Sequence, residues 1–127
     1  MKKKILAMFS VAMLAVGMFS TSALASDYDF WDVNYTAGAP SGSANPVDYL
    51  YVKSPTGNFN ASCTHIEGSS DKKVTISCVT FSNVKPIEFK KEESEPIKTT
   101  ASISDVKFKV AATGSLNCYS TGYILGY

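Results

Sequence analysis

The 127-residue chain contains no arginine and only one histidine, His65. Without arginine, it lacks the forked guanidinium group that binds phosphate or guanine through two parallel hydrogen bonds. The sequence also shows no G-x-S-x-G motif, and its acidic residues lie mainly in predicted loops, so neither a nucleophile with its base nor a catalytic carboxylate pair is evident. We therefore predict a protein that does not bind nucleic acid and is not an enzyme.

The chain also lacks an apolar run of the roughly 20 residues that span a bilayer. Its longest apolar segment, Ile5–Phe19, follows three lysines and precedes Ala23-Leu24-Ala25. A positive start, an apolar centre and a small-x-small end are typical of a cleavable signal peptide. We predict a helical signal peptide over residues 1–25, cleaved between Ala25 and Ser26, and a secreted protein without a transmembrane anchor.

Cleavage changes the charge of the protein. Removal of Lys2, Lys3 and Lys4 leaves nine lysines against eleven acidic residues, so the formal charge falls from +1 to about −2. A slightly acidic domain has no electrostatic footprint for nucleic acid. Residues 26–127 are enough for one hydrophobic core, and we expect a single secreted domain.

Aromatic and β-branched residues are frequent in this domain, and short alternating segments are separated by turn residues. This pattern is typical of a small antiparallel β-sandwich or barrel. No helical period persists beyond two turns. About seven strands are predicted: Asp29–Thr36, Val47–Ser54, Asn58–Ile66, Val74–Ser82, Pro86–Lys90, Asp105–Ala111 and Tyr119–Tyr127.

Two of these predicted strands, Asn58–Ile66 and Val74–Ser82, flank a polar segment with turn residues and favour a hairpin. A turn centred between Ser70 and Asp71 would place Cys63 opposite Cys78. A disulfide between them is our first choice, and Cys118 is the alternative partner of either. Three reduced, buried cysteines, or a thiol that pairs two chains, remain open alternatives.

Cys63 and His65 lie two residues apart, so they share a face if the strand is regular. With Cys78 opposite, they would offer three soft metal ligands. Their spacing matches no known zinc pattern, however, and a plain strand histidine is the simpler interpretation. The sequence therefore predicts no metal site and no cofactor.

The segment Asp27–Asp32 combines three carboxylates with three aromatic residues directly after the predicted cleavage site. Its aromatic side chains, Tyr28, Phe30 and Trp31, are our candidate binding surface, with a sugar ring or a bilayer interface as the ligand. A calcium site formed by the carboxylates is a further alternative. The simplest interpretation is a first strand with core aromatics and solvated acids.

Four segments carry a resemblance to known proteins: DYDFWD at 27–32, VDYLYVKS at 47–54, VKFKVAATGS at 106–115 and STGYILGY at 120–127. With the signal peptide, their order resembles that of small secreted β proteins of Gram-positive bacteria, some of which are grouped with lactococcin-like bacteriocins. The resemblance implies action outside the cell, on competing bacteria or on cell-envelope targets. It transfers no functional residue.

Together these features favour a secreted, non-enzymatic interaction protein that acts on an envelope or protein partner. One form of this hypothesis is a bacteriocin-like protein. The alternative is a small carbohydrate-binding module that uses exposed aromatic side chains. The expected partner is thus an extracellular protein, a cell-envelope component or a glycan. Neither hypothesis requires a catalytic residue.

Overall fold

In the part of the chain that the structure describes, eight β-strands form two antiparallel sheets of four strands each. The computed structural model describes residues 27–40 and 44–127; the predicted signal peptide, its helix and its cleavage site between Ala25 and Ser26 lie outside them. Within the described ranges, no helix is long and apolar enough to cross a membrane. The strands are β1 (Asp27–Thr36), β2 (Val47–Ser54), β3 (Asn58–Gly68), β4 (Lys73–Cys78), β5 (Ile87–Phe89), β6 (Ser94–Lys98), β7 (Ser102–Thr113) and β8 (Asn117–Gly126).

The first sheet has the order β1-β8-β3-β6, and the second has the order β2-β7-β4-β5. All pairings between neighbouring strands are antiparallel. The predicted small antiparallel β-sandwich is therefore confirmed. Strands β8 and β7 each have a partner on both sides, whereas β1 and β2 are edge strands.

The core lies between the sheets, and the alternation along each strand decides which side chains enter it. In β7, Val106, Phe108 and Val110 are fully buried, as their alternation with polar residues predicts. Two aromatic contacts span the core: Trp31 stacks on Phe89 at 6.3 Å between ring centroids, and Phe59 meets Phe108 edge to face at 5.1 Å. Such pairs each contribute about 0.5–1.5 kcal/mol beyond the area they bury.

The predicted hairpin between the third and fourth strands is wrong. Strand β3 pairs with β8 and β6, whereas β4 pairs with β7 and β5 in the other sheet. The chain leaves the first sheet at Gly68, whose φ of 141° is one that side-chain-bearing residues rarely adopt. The polar turn after Gly68 thus connects the two layers instead of two neighbouring strands.

Strand β6 is absent from the predicted set because Pro96 and the charged residues around it suggested a connection. In the structure β6 is the edge strand next to β3, with Pro96 opposite Asn60. Proline lacks a backbone N–H and is tolerated on an edge strand, where one side of the ladder has no partner. The sheet therefore gains a short fourth strand where the sequence predicts a loop.

Carboxylates join the edge strands β1 and β2. Asp27 accepts a hydrogen bond from the backbone N–H of Lys53 at 2.8 Å, and Asp29 accepts one from that of Tyr51 at 3.1 Å. Asp48 on β2 accepts one from the N–H of Asp32 at 3.3 Å. These three carboxylates therefore have a structural role: they accept hydrogen bonds from backbone N–H groups that an edge strand would otherwise leave exposed.

Candidate functional site

The three aromatic residues predicted as one binding surface do not form one. Trp31 has no exposed surface and points into the core, so it cannot contact a ligand at the surface. Tyr28 and Phe30 point to the outer face of the first sheet, where they lie opposite Leu125 and Tyr123. Successive residues of a strand face opposite ways, so Trp31 is separated from both by the sheet itself. Phe30 is also nearly buried, at 3% exposure.

Trp31 anchors a buried polar cluster. Its indole Nε1–H donates to the Ser120 hydroxyl at 3.1 Å, and that hydroxyl donates to the carbonyl oxygen of His65 at 2.8 Å. The Cys63 thiol lies 3.6 Å from the same hydroxyl and 3.5 Å from the same carbonyl. Every member of this cluster has a partner, as buried polar groups require.

The carbonyl of His65 is available to this cluster because β3 contains a bulge. Opposite β8, the register shifts between Cys63 and His65, so that Thr64 is the extra residue. Cys63 therefore points into the core, and His65 points to the outer face. The expectation that these two side chains share a face is wrong, because it assumed a regular strand.

The bulge also separates the side chains considered as metal ligands. In residues 27–40 and 44–127, no three His, Cys, Asp or Glu side chains are grouped so that they could hold a metal ion. Cys78 lies in the second sheet opposite Phe108, and Cys63 lies in the first sheet opposite Gly122. The opposition of Cys63 and Cys78 on which we based their disulfide does not occur.

All three cysteines, Cys63, Cys78 and Cys118, are free thiols in the structure. Burial raises the pKa of the Cys63 thiol above its ordinary value of 9.0, against the opposing effect of its hydrogen bond to Ser120. Burial likewise raises the pKa of Cys118. Because the thiolate is the reactive form, both side chains are poor nucleophiles.

We expect iodoacetamide at pH 8 to modify Cys78 in the native protein long before Cys63 or Cys118. Cys78 is partly exposed, whereas the other two are buried and have raised pKa values. Mass spectrometry of timed digests measures the order, and alkylation after unfolding should modify all three. Earlier modification of Cys63, or a disulfide-linked peptide pair in the non-reduced digest, would contradict this arrangement.

A half-exposed group of aromatic and basic side chains lies on the outer face of the second sheet. Tyr49 and Tyr51 on β2 are 45% and 50% exposed. On the neighbouring strand β7, the Lys107 Nζ lies 4.6 Å from the centroid of the Tyr49 ring and 5.7 Å from that of Tyr51. Lys53 and Lys109 point to the same side of the sheet. We call these five residues the tyrosine–lysine face.

The sequence does not reveal this face, because Val47–Ser54 has Val47, Tyr49 and Tyr51 on one side and Leu50 and Val52 on the other. That pattern favours a central strand covered on both faces. The structure instead places β2 at the edge of its sheet, with Leu50 and Val52 in the core and both tyrosines outside. The regular spacing of Tyr49, Tyr51 and Lys53 was the available signal. Tyrosine suits both a core and a surface, however, so the spacing alone does not decide between them.

The outer face of the first sheet contains a cleft at the end where β1, β8 and β3 meet. Its volume is about 650 Å³. It is lined by Asn34, Thr36, Glu67, Gly68, Ser69, Leu116, Asn117 and Tyr119. The Tyr119 ring lies 5.7 Å from the His65 ring, and His65 Nε2 lies 3.6 Å from Glu67 Oε2. Desolvation, with smaller contributions from Asp32 and Glu67, raises the pKa of Tyr119, so its hydroxyl remains a donor at neutral pH.

Among the described residues of these two surfaces, no hydroxyl or thiol is hydrogen-bonded to an imidazole or a carboxylate of the same surface that could act as its base. In the described parts of the chain, the His65 imidazole is placed against Glu67 and Tyr119, whereas the Cys63 thiol lies on the other side of the sheet. A general base must be within hydrogen-bond reach of the group it activates. What these two surfaces offer is binding chemistry: aromatic rings, lysine ammonium groups, amides and one carboxylate.

No family model matches the chain, and no curated protein matches its sequence. Among solved structures, the P-domain of Penaeus vannamei nodavirus is similar over 75% of this chain and 94% of that one, at 15% identity and a TM-score of 0.38. FLHE is similar over 77% of this chain and 94% of that one, at 7% identity and a TM-score of 0.35.

A third similar structure comprises the CBM22-1 and GH10 modules of Clostridium thermocellum xylanase 10B, complexed with xylohexaose. It covers 81% of this chain and 26% of that one, at 7% identity and a TM-score of 0.27. Similarities at these scores carry no conclusion about function. The architecture described above rests on the strands of this protein alone.

Proposed function

We propose that the protein is secreted and acts as a non-enzymatic interaction protein on a cell-envelope or protein partner, with a bacteriocin-like activity as one version of this role. The observation that supports the proposal best is the tyrosine–lysine face. Tyrosine supplies a large contact area at a small cost in side-chain entropy, and aromatic residues are enriched where proteins bind one another. The signal peptide predicted over residues 1–25 would bring this face to the outside of the cell.

The charge of the face favours an anionic component of the envelope. Lys53, Lys107 and Lys109 form no ion pair with any described residue, whereas Lys73 on the same sheet pairs with Glu88 at 3.0 Å. A domain with a net charge of about −2 therefore presents several unpaired positive charges on one face. Such a distribution orients the domain toward a negative surface and speeds association at low salt.

We expect replacement of both Tyr49 and Tyr51 by alanine to weaken binding to isolated anionic cell-wall polymer at least about tenfold, equivalent to ~1.4 kcal/mol. The two rings provide the exposed apolar contact and hold Lys107 in place. Co-sedimentation of residues 26–127 with purified wall fractions, followed from 50 to 500 mM salt, measures the loss. The wild-type protein should also bind less tightly as the salt concentration rises.

Tyr123→Ala on the opposite sheet is the matched control, because it removes one tyrosine without changing the tyrosine–lysine face. It should bind the wall polymer as the wild type does. No wild-type binding at micromolar protein, or equal losses from both substitutions, would contradict the proposal. Growth inhibition of related strains by the purified domain would support the bacteriocin-like version.

The alternative function, a small carbohydrate-binding module, requires two or three aromatic rings side by side on an exposed face. Tyr49 and Tyr51 meet this requirement by their positions two residues apart on one strand. Trp31 fluorescence would not report sugar stacking, because the indole is completely buried. Calorimetric titration of neutral glycans against the Tyr49→Ala/Tyr51→Ala variant is the appropriate test.

A further inference from the structure

The cleft on the first sheet contains an ordered row of three different side chains. In the strand register, Asn34 of β1 and Glu67 of β3 both lie opposite Tyr119 of β8, and all three point to the outer face. Neighbouring strands are about 4.8 Å apart, so the amide and the carboxylate stand on strands roughly 10 Å apart with the phenol ring between them. The next row adds Thr36 opposite Asn117.

Most polar side chains of this cleft are not used by the fold. The Ser69 hydroxyl is structural, since it donates to the carbonyl oxygen of Asn117 at 2.9 Å. By contrast, the side chains of Asn34, Thr36 and Asn117 form no hydrogen bond with any described residue, and the Glu67 carboxylate has His65 as its one ion-pair partner among the described residues. Two amides, a hydroxyl and a carboxylate therefore surround an aromatic ring with their bonding capacity available.

We propose that this cleft is a binding site for one or two units of an uncharged saccharide, with the sugar ring stacked on Tyr119 and its hydroxyl groups bonded to Asn34 and Glu67. A pyranose ring has an apolar face and a rim of hydroxyls. An aromatic floor between polar side chains matches both features. The volume of about 650 Å³ lies within the range of roughly 300–1,000 Å³ that small-molecule sites occupy.

The charge of the cleft decides among saccharide classes. Glu67 is the one formally charged residue among the described residues that line the cleft, and Asp32 lies close enough to act on Tyr119 electrostatically. None of the described lining residues is a lysine, so an acidic sugar would meet repulsion from Glu67 without a compensating cation among them. This site and the tyrosine–lysine face therefore select different ligands, and the proposal does not depend on the function proposed for that face.

Calorimetry and amide chemical-shift mapping of residues 26–127 with cellohexaose, mannohexaose and a galacturonic acid hexamer would test the proposal. We expect at least one neutral hexamer to bind, with shifts centred on Tyr119, and the acidic hexamer to bind at least about tenfold more weakly. Failure of both neutral hexamers to bind at 5 mM, or equal binding of neutral and acidic hexamers, would overturn it.

Variants separate stacking from hydroxyl recognition. Tyr119→Ala should weaken binding of the neutral hexamer about tenfold, whereas Tyr119→Phe keeps the ring and should stay within about threefold of wild type. Asn34→Ala, on the exposed edge strand, tests the polar contact without changing the ring. Tyr49→Ala/Tyr51→Ala should leave this binding unchanged; if that variant alone abolished it, the sugar would belong to the other face and the proposed cleft would be wrong.

Discussion

A Gly122→Ala variant is expected to lose about 3 kcal/mol of unfolding free energy, although it adds only one methyl group. A Cβ atom at Gly122 would overlap Cζ2 and Cη2 of Trp31 and the carbonyl oxygen of Ser62. The indole is packed and hydrogen-bonded, and the carbonyl belongs to the sheet, so neither can move freely. Overpacking of this kind costs about 1–3 kcal/mol and occasionally more.

Urea unfolding, followed through the single tryptophan, measures this loss, and the melting temperature should fall by about 12 °C or more. Gly38→Ala is the matched control. Its Cβ would have no atom within 4 Å. The loss of unfolding free energy should therefore come only from the φ of 72°, which costs an alanine on the order of 1 kcal/mol. Equal costs at the two glycines, or a Gly122→Ala loss below about 0.5 kcal/mol, would show that the indole does not pack over position 122.

The sequence predicts the positions of the strands in the chain better than it predicts which strands pair with each other. The alternation over Asp105–Ala111 places Val106, Phe108 and Val110 in the core, and the structure agrees. Partners are harder to predict, because the strand order β1-β8-β3-β6 joins segments far apart in the chain. The local pattern favours a hairpin between β3 and β4, but β3 pairs with β8 and β4 pairs with β7. The alternation of residues within one strand does not show which distant strand will pair with it.

The bulge at Thr64 shows why the candidate site could not be predicted residue by residue. One extra residue reverses the faces of everything that follows it, so His65 points outward and Cys63 inward. The cleft depends on this shift, because it allows Glu67 to stand next to Tyr119. No pattern in Asn58–Gly68 marks the bulge, since it is stabilised by contacts with β8. Sequence reasoning therefore identified neither the residues of the cleft nor their grouping.

Both proposed binding surfaces depend on the alternation of inward-pointing and outward-pointing side chains along each strand. The fully buried inward residues are apolar except for Ser54 and Ser120, and the outward residues of the two surfaces include tyrosines, lysines and amides. The outer face can therefore change with little effect on the core, provided that the alternation is kept. Binding variants such as Asn34→Ala and Tyr49→Ala should accordingly fold normally, and core variants should report on stability alone.

Ser120 provides the most informative core variant, because one hydroxyl satisfies two buried groups. Ser120→Ala leaves the Trp31 indole N–H without its acceptor at 3.1 Å and the His65 carbonyl without its donor at 2.8 Å. Each unsatisfied buried group costs about 1–3 kcal/mol, so we expect a loss of roughly 2–5 kcal/mol. The Cys63 thiol, 3.5 Å from the same carbonyl, is a weaker substitute for the donor.

A double-mutant cycle with Trp31→Phe separates the indole bond from the rest of this cost. Trp31→Phe removes the N–H donor, so adding Ser120→Ala to it leaves only the carbonyl of His65 without its hydroxyl donor. The combined loss, measured in guanidinium, should therefore be smaller than the sum of the two single losses by about 1 kcal/mol or more. Additivity within about 0.5 kcal/mol would show that the Trp31–Ser120 hydrogen bond does not contribute to stability. Trp31→Phe also removes the indole carbons that pack over Gly122, but this loss is common to both proteins that carry the substitution and therefore cancels in the cycle.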